Sequence, residues 1–233
     1  MFMELNSSRA QRMTGGLFIV GAAVGLVGNA LHPHTADPNT AAIVGAIARN
    51  GAWVGIHLAI IVAILLIIGG LVGLADQLNG TSAAPLARLG LGAALVGGAV
   101  VTVSSAIDGF AMKALALSSA SAPAAEAASA LRIAIAVRDA DFGIWSIGML
   151  VFFGAAFICF GLAVSASRRF AGWFGWVAVA GAGGATVAAL LQIGASGEVQ
   201  AAQTIFLVSS LVLTLWTLAV GVLMWRWHAD AVA

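Results

Sequence analysis

The sequence predicts an all-α integral membrane protein, a single domain over residues 1–233 whose six helices cross the bilayer. Both termini are expected on the cytoplasmic side, and the longer loops, with short interfacial helices, on the extracytoplasmic side. Three observations predict this. The chain is 61% hydrophobic and 8% charged, with a mean hydropathy of +1.06. A soluble domain carries about 25% charged residues, so this chain cannot cover a water-facing surface. Its apolar residues also gather into six runs near the length of about 20 residues that a spanning helix needs. Finally, the cationic residues are biased toward the membrane side that holds the N-terminus.

The runs cover residues 15–31, 53–74, 88–107, 144–164, 170–193 and 205–225. The first follows Arg9 and Arg12 and superficially resembles a secretory signal. Five further runs come after it, so it is expected to remain as the first helix. Helices are the spanning form because backbone groups cannot go unpaired in lipid, and no run shows the alternation of a membrane barrel. With the N-terminus inside, Arg9, Arg12, Arg88, Arg168, Arg169 and Arg226 are cytoplasmic, while Arg49, Lys113, Arg132 and Arg138 lie opposite. The reading is a multi-pass protein of the cell membrane, of bacterial inner-membrane type.

The inner connections are short, "ADQLNGTSAAP" and "SASRR". Outside, the segment after the first run should turn and then form a short helix starting near Asn39 or Thr40. The third helix is expected to continue to about Leu117, with a break from Ser119 to Pro123. Residues 124–138 then read as a separate interfacial helix, with Asp141 capping the fourth span. Trp53 and Trp145 read as anchors at the outer boundary, and Trp173, Trp176, Trp225 and Trp227 at the inner one.

Glycine is abundant, at 29 residues, and "GGLFIVGAAVGLVG" and "GWFGWVAVAGAGGA" repeat small residues every fourth position. Such ladders let helix backbones approach closely in lipid. Their ordinary use is packing within one bundle; contact with a second copy or a partner membrane subunit is the further use. "GLA" at Gly73 and Gly161, and "GGA" at Gly97 and Gly183, hint at a parallel internal repeat.

Composition and motifs exclude several function classes. A net charge of +1 leaves no basic surface for nucleic acid. The single Cys159 allows no intramolecular disulfide. Phosphate-loop, dinucleotide, CxxC and nucleophile-elbow motifs are absent from the sequence.

What remains is a layer of polar residues at the outer ends of the helices. A polar group inside a membrane is costly and points to function. His57, Asp108, Gln192 and Asp141 are the candidate ligand-binding residues, and His32, His34 and His57 the candidate metal ligands. Imidazole suits zinc, copper, iron or nickel, and Pro33 would hold His32 and His34 extended. The bland reading is that Pro33 ends the helix between two interfacial histidines. A divalent metal suits this set better than haem, whose two axial histidines would come from facing helices. Asp108 and Lys113 also read as a surface ion pair. Three functions stay open: a ligand or metal site (or transport path) at the outer leaflet; an enzyme on a lipid or isoprenoid with Asp108 and His57 as acid and base; and a non-catalytic accessory subunit.

Overall fold

The computed structural model describes residues 2–33, 40–195 and 199–226, and among these the regular structure is entirely helical. The helices are α1 (Phe2–Leu31), α2 (Thr40–Arg49), α3 (Trp53–Leu78), α4 (Ala84–Ser121), α5 (Ala124–Ala166), α6 (Gly172–Ala195) and α7 (Gln200–Arg226). All but α2 are long and apolar enough to cross a membrane. The protein is therefore a multi-pass helical membrane protein.

Helices α4 and α5 have 38 and 43 residues. At 1.5 Å per residue they are about 57 and 64 Å long, roughly twice the hydrocarbon thickness. They project beyond the other spans as a hairpin whose turn lies at Ala122–Pro123. Ala122 there adopts extended backbone, φ −64° and ψ 141°, because a residue before proline is pushed out of the helical region. The expected break is thus where the sequence places it. The expected separate helix over residues 124–138 is not found, because nothing after Arg138 stops the helix and it runs unbroken into the fourth span. Asp141 accordingly sits in mid-helix and caps nothing.

The six spans pack as a ring in chain order. Helix α1 packs on α3, α3 on α4, α4 on α5, α5 on α6 and α6 on α7, while α7 returns to α1. Glycines make several of these seams close. A Cβ at Gly15 would lie 2.7 Å from the Gly221 carbonyl oxygen, and one at Gly97 would lie 2.5 Å from the Phe152 nitrogen. Gly161 and Gly175 meet backbone to backbone. Gly183, by contrast, faces open space, so the two "GGA" positions are used differently. Phe18, Leu71, Phe152, Phe160, Trp216 and Met224 fill the interior.

A second, smaller core caps one end of the ring. Ile43, Val44 and Ile47 of α2 pack with Trp53, Met112, Ala116 and Ala134. Lys113 fastens this cap. Its ammonium donates at 2.8 Å to each of the Ile47, Ala48 and Asn50 carbonyls. Those carbonyls belong to the C-terminal end of α2, where oxygens lack helical partners and the dipole is negative. The ammonium's three hydrogens are all used, so the expected Asp108–Lys113 pair gives way to a helix cap.

Candidate functional site

At the capped end, a cavity of about 240 Å³ takes lining residues from all seven helices. Its polar side chains fall into three tiers. The first tier joins the end of α1, the first turns of α3 and the part of α4 nearest the cap. Here His57 Nε2 lies 3.1 Å from Asp108 Oδ2, and His32 Nε2 lies 3.8 Å from the same oxygen. One donor atom from each of the three residues falls within 4.8 Å of the others.

Local structure explains how these groups meet. Residues Ile107–Met112 form a π turn within α4. Such turns insert one residue into a helix, re-aim side chains and are frequent at functional sites. This one places Asp108 toward α3 and puts Gly109 against His57. A Cβ at Gly109 would lie 2.5 Å from His57 Cβ, so only glycine allows the approach. The Trp53 indole, buried over the site, donates to the Asp108 backbone carbonyl at 2.7 Å. Its ring lies 5.1 Å from that of His32 and 4.8 Å from that of His57. Trp53 is thus a wall of the site and not the boundary anchor that its position suggests. Trp173, Trp176 and Trp225 are all exposed near the opposite end, and Trp227 lies outside the described residues.

His57 is almost wholly buried, and its Nδ1 stands 2.8 Å from the Trp53 carbonyl oxygen. A carbonyl only accepts, so Nδ1 carries the hydrogen and fixes the tautomer. A neutral ring then turns the lone pair of Nε2 toward a carboxylate oxygen, which also holds lone pairs. A positive species must lie between them, either a proton or a cation.

The second tier lies one helical turn deeper, where the Ser104 hydroxyl bonds the Asp141 carboxylate. Asp141 is 9% exposed, and its Oδ1 has no hydrogen-bond partner among the described residues. In the third tier the Ser146 hydroxyl reaches the Phe142 carbonyl at 2.8 Å and Gln192 Oε1 at 3.2 Å. Below it the fully buried Met149 lines the cavity, with the fully buried Phe152 beyond it in the bundle core.

The structure therefore brings together His32, His57 and Asp108, and places Asp141 and Gln192 deeper in the same cavity. His34 lies outside the described residues. The haem geometry considered from sequence does not arise at His32 and His57. Their rings, 5.0 Å apart and edge to face, converge on one carboxylate oxygen and leave no plane for a porphyrin between them. Sequence reasoning missed Trp53 and Arg138 as lining residues. The Trp53–His57 spacing of four, which stacks two side chains on one helix face, was the available signal.

No curated protein and no solved structure matches the chain significantly. Residues 13–221 match the family model described as a domain of unknown function, DUF4386, and the chain belongs to that family.

Proposed function

We propose that this protein binds a divalent transition metal through His32, His57 and Asp108, at the extracytoplasmic leaflet of the cell membrane, and uses it to hold a small ligand in the adjoining cavity. The observation that carries this reading is the His57–Asp108 contact, where a tautomer fixed by the Trp53 carbonyl opposes two lone-pair atoms. A proton would satisfy that pair alone. A metal also accounts for the third donor, His32, aimed at the same oxygen. The Nδ1–H to carbonyl bond is the outer support that metal-bound histidines ordinarily have. Two imidazoles and one carboxylate with an open side suit iron(II) or zinc. The closed inner end of the cavity favours binding over a continuous transport path in this conformation.

The test is elemental analysis of detergent-purified protein, wild type beside His57→Ala. Near-stoichiometric iron or zinc that disappears in the variant is the expected result. Equal metal in both samples, or none in either, would overturn the reading.

A second reading rests on the same 3.1 Å contact, with His57 and Asp108 as base and acid of a membrane enzyme. It predicts that chelator-treated protein keeps full activity on its substrate, whereas a metal centre predicts loss.

A further inference from the structure

Asp141 and Gln192 form a polar pair that the metal centre does not use. Asp141 is more than nine-tenths buried and lines the cavity, and its Oδ1 has no hydrogen-bond partner among the described residues. A buried carboxylate carries several acceptor lone pairs and is costly to leave short of donors, so a donor from a ligand in the cavity it lines is the economical solution. Gln192 is buried as well, and Ser146 grips one end of its amide. A primary amide carries both a donor and an acceptor, and the free end lines the cavity.

The charges around this pair select the ligand. Asp141 opposes an anionic group. Arg138, three residues earlier on α5 and also lining the cavity, supplies a positive charge close to Asp141 and disfavours a second cation. A neutral hydroxyl fits both partners, since its O–H donates to Asp141 while its oxygen accepts from Gln192. The other fixed charge is Asp108, with His57 beside it, one helical turn away. Ser104, which bonds Asp141, and Asp108 are four residues apart on α4, a separation of about 6 Å along the axis.

We infer that the cavity takes a small neutral polyol, one hydroxyl held by Asp141 and Gln192 and a second, about one helical turn away, at the His32–His57–Asp108 centre. The second contact rests on the reading given under "Proposed function"; the first does not. A volume near 240 Å³ has room for a short polyol.

The experiment measures apparent affinity from the rise in Tm with ligand concentration, using full-length protein in detergent. The probes are butane-1,4-diol, whose hydroxyls can span the two positions, and butan-1-ol, which has one. Wild type is compared with Asp141→Leu and Gln192→Leu, with metal content measured on every sample. The diol is expected to bind about tenfold more tightly than the alcohol in wild type, and to lose that advantage in both variants. Should Asp141→Leu fail to fold, Gln192→Leu carries the comparison alone. Equal binding of diol and alcohol by wild type would overturn the inference, as would a diol advantage that survives in either variant. If metal is present throughout but the diol has no advantage, the polyol inference fails and the metal reading stands. If metal is absent but the diol advantage is present and lost in Asp141→Leu, the polyol inference stands, with the second hydroxyl on the His57–Asp108 pair.

Discussion

His57 Nε2 faces Asp108 Oδ2 at 3.1 Å, while the Trp53 carbonyl 2.8 Å from Nδ1 already claims the hydrogen of a neutral ring. The pair is joined across α3 and α4 by residues 51 positions apart in sequence. It forms because a tryptophan, a glycine and a π turn all act on the same place.

Trp53 should tune the proposed metal centre without touching it. In Trp53→Phe the indole donor to the Asp108 carbonyl is lost, while most of the aromatic packing remains. Metal affinity should fall about 10–100-fold, the usual cost of removing outer support from a site. Competition with a chromophoric chelator measures it, and an unchanged affinity would show that the indole bond does not support the site.

Gly109 should tolerate no side chain. In Gly109→Ala the new methyl would stand 2.5 Å from His57 Cβ, forcing α3 and the π turn apart. A loss of about 1–3 kcal/mol in stability is expected, with reduced metal occupancy. Thermal unfolding and elemental analysis on one preparation check both effects. Wild-type occupancy in the variant would mean that His57 has more freedom than its packing suggests.

Lys113 should hold the cap on the cavity. Lys113→Met keeps the length of the side chain and removes three charge-assisted hydrogen bonds to the end of α2. Stability should fall by about 2 kcal/mol, since part of the bonding is recovered by water at this half-buried site. Hydrogen exchange should speed up in residues 40–49 before it does in the spans. Uniform acceleration across the bundle would argue against a local cap.

Two glycines of α4 offer a paired test of helix packing. Gly97→Ala would place a methyl 2.5 Å from the Phe152 backbone nitrogen and should cost about 1–3 kcal/mol. Gly92 has open space around its Cβ position, so Gly92→Ala should change stability by less than about 0.5 kcal/mol. Similar unfolding of the two variants in detergent would show that the α4–α5 seam is looser than this spacing implies.

Much of the fold was legible because hydropathy is a local property. Each span declares itself by its own length and composition, and Pro123 by its effect on the residue before it. The start of α2 near Thr40 was equally local. Asp141 was misread because aspartate suits a helix start, yet no adjacent residue stops the helix before it, and continuity overrode that preference. The Asp108–Lys113 pairing was also drawn from neighbours in sequence. Lys113 instead found three carbonyls at the C-terminal end of α2, more than 60 residues away in the chain.

The sequence by itself determined six apolar helices, the break between α4 and α5, and a layer of histidines and carboxylates at one end. These follow from the cost of placing charge and unpaired backbone in lipid, which each segment meets alone. Only the tertiary structure decided which members of that layer meet. His32, His57 and Asp108 converge because glycine lets α3 and α4 touch at Gly109, and because a π turn rotates Asp108 toward the contact. Helix-to-helix distance and rotation depend on side chains from both partners at once, and no single segment contains that information.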